Sequence, residues 1–480
     1  MQPDNGKPRK IIPITPVEPE DGDKMVAMFA SEQKVYSRSI SGFFSRWRWA
    51  MVFLTQLFFY GMPWLQWGQR QMVLFDLEAR RFYLFGLVLY PQDFIYLTGL
   101  LIISALALFL FTAVAGRLWC GFSCPQTVYT EIFMWIERKV EGDRSARMRI
   151  DKSGWTFEKI WKKSLKQFLW IAVSLWTGFT FVGFFVPIRE LGSQLLELQG
   201  NWQIFWVLFY GFATYGNAGY MREQVCKYMC PYARFQSAMF DKDTMIVSYD
   251  GQRGEPRAPR TKQVDAKAQG LGDCIDCKLC VQVCPVGIDI RNGLQYECIG
   301  CGLCIDACNS VMDKMGYARG LIRMSTQNAI ARAWKQAQII RRVFRPRVLI
   351  YTVVLLGLSA AMIGSLIMRE PLKLNVIRDR ASLSRIVAGG KLENVYRLQI
   401  MNATEQEQRY RITATGLDGL EVVLEDEVVV GPAETRGVPV GLQIPYGSAA
   451  PGSHTVYFNV DAETAGAGRT SEKAVFLVPR

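Results

Sequence analysis

Five apolar stretches set the plan of the chain. Trp49 to Trp67, Phe94 to Ala115, Leu165 to Val186, Trp202 to Tyr220 and Val348 to Met368 each approach the roughly twenty residues that a helix needs to cross a bilayer core. The polar stretches between them are unequal. Eleven Lys and Arg lie from Arg117 to Lys166, between the second and third spans, whereas the connection from the third to the fourth has only Arg189. Such an excess marks the cytoplasmic side. The region between spans four and five is then cytoplasmic too, and five crossings leave the termini on opposite faces.

Outside the spans the pattern changes character. Residues 1–45 are polar, with Pro13, Pro16 and Pro19 close together, and read as a disordered cytoplasmic tail. No early apolar region with a cleavage site precedes the first span, which is expected to act as an uncleaved anchor. Gln69 to Pro91 is too broken by charge to cross and reads as an extracytoplasmic loop or interfacial hairpin. Gly251 to Gly272, rich in Gly, Pro, Lys and Arg, reads as a flexible tether, and Ser325 to Arg342 has helical composition. After Met368, short alternating runs replace the long apolar ones. Leu392 to Ile400, Gln408 to Ala414, Leu420 to Val430, Arg436 to Ile444, His454 to Val460 and Lys473 to Val478 are expected strands of an immunoglobulin-type sandwich.

Cysteine usage adds the chemistry. All twelve cysteines fall between Cys120 and Cys308, and His454 is the single histidine. Haem held between two histidines is excluded, as is a His-rich copper or zinc site. Eight cysteines form CIDCKLCVQVCP and CIGCGLCIDACN, two copies of the C-x2-C-x2-C-x3-C spacing that holds paired [4Fe-4S] clusters in bacterial ferredoxins. Three cysteines of one run share a cluster with the last of the other. Cys274, Cys277, Cys280 and Cys308 make one set, and Cys298, Cys301, Cys304 and Cys284 the second. Pro285 follows the first run, but Asn309 stands at the equivalent place in the second. That exchange restores a backbone N–H near sulfur and is expected to set the two potentials apart.

The other four cysteines repeat as CGFSCP and CKYMCP, each just beyond a span. On a helix, positions i and i+4 share a face, so two dithiols at matching depth are expected to meet across a pseudo-twofold axis. Cys120, Cys124, Cys226 and Cys230 then form either a thiolate site for a soft ion such as Cu(I) or a redox dithiol. Met221, Met229 and His454 read as packing and surface residues. The formal charge of +13 reflects cytoplasmic loops, with no nucleic-acid partner implied. Carboxylates are nearly absent from the spans, which argues against a proton relay.

Two C-x3-C-P motifs, a pair of ferredoxin runs before a final span and a C-terminal sandwich together resemble the cytochrome c oxidase accessory proteins known as CcoG, FixG or RdxA, from about Arg46 to Arg480. The resemblance implies a multi-pass protein of the bacterial inner membrane, a cupric reductase serving assembly of a cbb-type oxidase. Cys120, Cys124, Cys226 and Cys230 would be its catalytic and copper-binding thiols. Its partners would be oxidase assembly factors, copper chaperones or transporters, membrane lipid and a cytoplasmic electron donor. The expected fold is a five-span α-helical membrane bundle, with four spans and both C-x3-C-P motifs in 46–250, and a cytoplasmic α+β dicluster ferredoxin domain (251–330). A basic linker with the fifth span (331–371) and a periplasmic all-β immunoglobulin-like sandwich (372–480) complete it. Two rivals stand beside this reading: a quinol-linked conduit like NapH and NosR, whose thiols border a quinone site, and a non-enzymatic assembly scaffold.

Overall fold

The computed structural model describes residues 34–480 except 199, 267, 335, 380–383, 425–426, 465–467 and 480. Residues 1–33 of the expected tail lie outside the described residues. The remainder of that tail is held in place. The Tyr36 hydroxyl donates to Asp151 (2.6 Å), the Arg38 N–H to the Gln282 carbonyl (2.8 Å) and the Ser39 N–H to Asp143 (3.1 Å).

The first helix, α1 (Phe43–Gly61), starts six residues before Trp49, so Arg46 and Arg48 lie inside it. An exposed helix start leaves N–H groups without partners. Here Asp306, far along the chain, accepts from Phe44 N–H (3.3 Å) and Ser45 N–H (2.8 Å). Five short strands follow: Gln66–Trp67 and Arg70–Gln71 (β1, β2), then the meander Val73–Asp76, Arg81–Leu84 and Leu87–Leu89 (β3 to β5). These are two small sheets where a loop or hairpin was expected. Next come α2 (Phe94–Ala115), α3 (Leu118–Phe122), α4 (Pro125–Glu141), α5 (Arg144–Lys152), α6 (Phe157–Val182), α7 (Ile188–Leu196) and α8 (Asn201–Tyr215). Two π turns, Gly216–Met221 and Val225–Met229, lead into α9 (Pro231–Met239).

Among the described residues, three helices are long and apolar enough to cross a membrane: Pro91–Ala115, Phe157–Val182 and Pro346–Ile367. The first and fourth expected spans, α1 and α8, are not in that set. Two arginines sit in the first half of α1, and α8 has 15 residues, about 22 Å at 1.5 Å per residue. Still, α8 packs closely on α6. A Cβ on Gly178 would stand 2.3 Å from the Val207 carbonyl oxygen, the backbone approach that small residues permit between membrane helices.

The cysteine-rich domain opens with β6 (Ile246–Tyr249), ahead of Gly251, which pairs antiparallel with β7 (Ile322–Ser325). Between them lie α10 (Gly251–Gly254), α11 (Leu279–Gln282) and α12 (Leu303–Met315). The stretch expected as a tether is folded onto this domain. Arg253 Nε donates to Asp273 (2.5 Å), Gly272 N–H to the Pro256 carbonyl (2.9 Å), and Arg260 Nη1 to the Cys274 carbonyl (3.3 Å). Its arginines serve as brackets. Ser325 to Arg342 is helical only over α13 (Gln327–Ala331) and α14 (Gln336–Val343), before α15 (Pro346–Ile367).

Beyond α15 two sheets pack face to face. Strands β8 (Leu372–Arg378), β9 (Arg385–Val387), β10 (Lys391–Asn402), β12 (Glu421–Val423) and β14 (Thr435–Pro445) form one, in the order β12-β14-β10-β8 with β9 also on β10. Strands β11 (Gln408–Thr415), β13 (Val428–Val430), β15 (Gly452–Ala462) and β16 (Arg469–Val478) form the other, in the order β13-β11-β15-β16. Leu398, Ile400, Leu442, Val456, Phe458 and Phe476 fill the space between them and are fully buried. The expected strand Leu420–Val430 divides between the two sheets, and β8 and β9 were not expected. The sandwich is seated on the meander through Leu74, Tyr83, Val88 and Tyr90 against Met401 and Ala433. The Tyr90 hydroxyl donates to the Asn402 carbonyl (2.9 Å), while Arg369 (2.6 Å) and Lys373 both hold Asp93. The meander in turn bonds the far end of α6, Phe75 N–H to the Phe184 carbonyl (2.7 Å).

Candidate functional site

The two cysteine runs converge on two cavities. One is lined by Cys274, Cys277, Cys280 and Cys308. The other is lined by Cys284, Cys298, Cys301 and Cys304, with Cys280 at its edge. These are the two sets that the spacing predicts. Their surroundings fit an iron–sulfur cluster, because backbone donors aim at sulfur. The N–H groups of Val286, Gly287 and Ile288 point at Cys284, that of Gly300 at Cys298 and that of Ile322 at Cys308. Gly287 and Gly300 have φ of +79° and +68°, conformations that glycine adopts without strain.

Asn309 acts differently from expectation. It lies within α12, where its N–H belongs to the helix, and its side chain accepts from Gly320 N–H (3.0 Å). Proline ends a helix and asparagine does not. Hence α11 stops at four residues, ahead of Pro285, while α12 continues through Asn309 to thirteen.

The C-x3-C-P cysteines do not sit at i and i+4 of one helix. Cys124 (φ −61°, ψ 129°) and Cys230 (φ −80°, ψ 108°) are extended caps outside α4 and α9, with Pro125 and Pro231 as the first helical residues. A residue before proline avoids the helical region, so each motif breaks the helix at its second thiol. The first copy has α3 before that break and the second a π turn, a winding that recurs at functional sites. At Cys124 the reward is direct: the N–H groups of Gln126 and Thr127 face its sulfur.

All four thiols lie within electrostatic reach of one another. Burial first, then the Cys124 thiol, pushes Cys120 up to about 11. Burial, then Cys124, Cys120 and Cys230, pushes Cys226 up to about 12. The Cys120 thiol also donates to Gln236 Oε1 (3.3 Å), a fully buried amide. Among the described residues, no three His, Cys, Asp or Glu close into a set that would hold a single metal ion.

The thiols are pressed against the second cavity. Cys120 packs against the buried cluster that contains Ile299 and Cys301, to which Cys284 and Cys304 also belong at its edge. A Cβ on Gly121 would stand 2.8 Å from Cys301 Cα, and one on Gly300 3.2 Å from the Arg117 carbonyl carbon. Arg117 bridges the two motifs, donating to the carbonyls of Tyr296 and Ala233. Its charge is felt by Cys120, Cys298, Cys226 and Cys230. Arg48, 3% exposed, donates to the Gly121 carbonyl (3.1 Å), pairs with Glu131 (2.9 Å) and acts on Cys301 and Cys284. By contrast Cys277, in the first cavity, is exposed.

Sequence reasoning missed these arginines because it counted them as loop charge. It also missed Glu137, which is 1% exposed and ringed by Arg222 (2.8 Å), Arg147 (3.0 Å) and Lys166 (3.7 Å). Burial alone would raise this carboxyl, but Arg222 above all, then Lys166 and Arg147, hold it below the usual range. The spacing of Glu137 and Glu141 on α4, one turn apart, was the available signal. Met229 is exposed and His454 half-buried, and His454 Nε2 bonds the Ala450 carbonyl (2.7 Å).

Comparison with known proteins matches residues 221–327 to a 4Fe-4S dicluster domain and 97–141 to a 4Fe-4S binding domain. Residues 362–479 match the immunoglobulin-like fold at the C-terminus of FixG. Protein RdxA of Cereibacter sphaeroides is 38% identical over 435 residues, 88% of this chain and 91% of the relative. Nitrogen fixation protein FixG of Rhizobium meliloti is 37% identical over 448 residues, 87% and 85% of the two chains. Protein RdxB of Cereibacter sphaeroides is 39% identical over 422 residues, 86% and 87%. The crystal structure of a FixG-related protein from Vibrio parahaemolyticus aligns with 23% of this chain and 97% of its own, at 25% identity and a TM-score of 0.21.

Proposed function

The chain belongs to the family of RdxA, RdxB and FixG, and from that premise we propose that it reduces Cu(II) to Cu(I) at Cys120, Cys124, Cys226 and Cys230. In this reading the electrons come from a cytoplasmic donor, are held at two [4Fe-4S] clusters, and the Cu(I) serves assembly of a cbb-type cytochrome c oxidase. At the coarser level it is an iron–sulfur electron-transfer protein of the membrane. Cys274, Cys277, Cys280 and Cys308 would hold one cluster, and Cys284, Cys298, Cys301 and Cys304 the other. Bound clusters supply single electrons at low potential.

The observation that carries the reading is the seating of Cys120 and Gly121 on the Ile299–Cys301 loop. The first of the four thiols thus abuts the cysteine set of a redox cofactor. Each Cu(II) takes one electron, and thiolate sulfur favours the Cu(I) that results. The chain's own part is positional. Gln126 and Thr127 N–H groups stabilise negative charge on Cys124, Arg117 spreads one positive charge over both sites, and the Arg48–Glu131 pair fixes α1 beside them.

We place the protein in the bacterial inner membrane with five crossings, α1 and α8 included. The N-terminus and the cysteine-rich domain face the cytoplasm and the sandwich faces the periplasm, available to assembly factors and copper chaperones or transporters. The test is anaerobic. Reduced protein is mixed with Cu(II), and bleaching of the cluster absorbance is followed together with chelator-trapped Cu(I). Wild type should bleach and release Cu(I) in step, whereas Cys120→Ser with Cys226→Ser should do neither. Clusters that stay reduced in wild type sink the reading.

A further inference from the structure

One strand face covers both cysteine cavities. Val247 and Tyr249 of β6 are two residues apart and so lie on the same side of the strand, yet they reach different cavities. Val247 lines that of Cys284, Cys298, Cys301 and Cys304, and Tyr249 that of Cys274, Cys277, Cys280 and Cys308. The second set therefore meets an apolar side chain and the first a hydroxyl. Opposite Tyr249 in the ladder stands Ile322, whose N–H points at Cys308. The Tyr249 hydroxyl is within hydrogen-bonding reach of the Cys274 sulfur. A single register pair thus brings two donors to two sulfurs of the first set.

The hydroxyl also has a second acceptor, for it donates to Glu255 Oε1 (3.1 Å). Gly254 leaves it the room, since a Cβ there would overlap the hydroxyl oxygen. Glu255 accepts from the Arg257 N–H (3.1 Å) and pairs with Arg257 Nη1 (3.5 Å), so it keeps a partner when the hydroxyl turns away. A phenol has one hydrogen to give, and sulfur competes for it better as negative charge builds there. We propose that Tyr249 sets the potential of the first cluster, donating to Glu255 while that cluster is oxidised and to the Cys274 sulfur once it holds an electron. This rests on the iron–sulfur reading and not on copper. One electron is taken up and no proton changes atoms, because the hydrogen stays on the phenol oxygen and only its acceptor changes. The exchange stabilises the reduced form and so raises the potential. Val247 offers the second set no such donor, so Tyr249 rather than Asn309 distinguishes the two.

The test is an EPR-monitored redox titration of the full-length protein with its clusters in place. Cys277→Ser, which moves or removes one of the two signals, identifies the first cluster. Tyr249→Phe keeps the ring and its packing. It should lower the first midpoint by roughly tenfold in the reduction equilibrium, about 59 mV for one electron, and leave the other where it is. Glu255→Ala removes the competing acceptor and should raise the first midpoint, a rise largely lost when it is combined with Tyr249→Phe. An unchanged first midpoint in Tyr249→Phe, two midpoints that move together, or an equal rise from Glu255→Ala in both backgrounds overturns the proposal. Wild type without two reducible clusters would overturn the iron–sulfur reading itself, and the proposal with it.

Discussion

Gly121 and Cys301 approach so closely that a Cβ on Gly121 would stand 2.8 Å from Cys301 Cα and from the Ile299 carbonyl oxygen. Both obstructing groups are backbone and cannot swing aside. Gly121→Ala therefore has to push the cysteine-rich domain off α3. Because displacement by about an ångström can cost on the order of a hundredfold in rate, bleaching of reduced clusters by Cu(II) should slow at least tenfold in stopped flow. The cluster content should be unchanged.

Arg117 lies against both thiol motifs and Cys298. Adding an electron to a cluster makes it more negative, so a nearby positive charge raises the potential. In an EPR-monitored redox titration, Arg117→Gln should lower the midpoint of the cluster held by Cys298 and leave the other in place. Arg117→Lys should restore most of the shift. Two midpoints that move together would mean a general loosening instead.

Glu137→Gln takes the carboxylate from Arg222 and Arg147 in a buried site, while Lys166 keeps Glu141, and breaking such a network costs about 3–5 kcal/mol. The sign with pH follows from the depressed carboxyl. Its stabilisation is present above the unfolded value of roughly 4.3 and is lost as pH falls through the lower folded value. Thermal unfolding should therefore show wild type ahead of Glu137→Gln at pH 7, with the gap closing below about pH 4.

Asp93 holds Arg369 and Lys373 where α15 meets the sandwich, and it is 3% exposed. Asp93→Ala leaves two cations without their acceptor. Hydrogen exchange should rise in the meander (73–89) and at the start of β8, while the sandwich core at Leu398 and Phe458 stays protected. Unchanged exchange at β8 would show that Tyr90 and Met401 suffice for the seating.

Local patterns were legible wherever the signal and its cause sit close together in the chain. Phe94 to Ala115 was read to the residue because composition alone makes that helix. Most strands of the sandwich were read because a half-buried strand alternates, as β11 does. Strand β8 escaped because only four residues separate it from the last apolar helix. The start of α1 escaped because its cap, Asp306, is some 260 positions away.

The same division runs through the site. The ferredoxin arrangement assigned the eight cysteines to two sets of four, the last of each run exchanged. Spacing also marked Cys120, Cys124, Cys226 and Cys230 as a repeat. Only the tertiary structure decided how these four meet: through helices broken before Pro125 and Pro231 rather than along one helical face. It alone set Arg117, Arg48 and Glu137 inside. A buried charge is defined by partners that the chain brings from far away, and no local pattern carries that information.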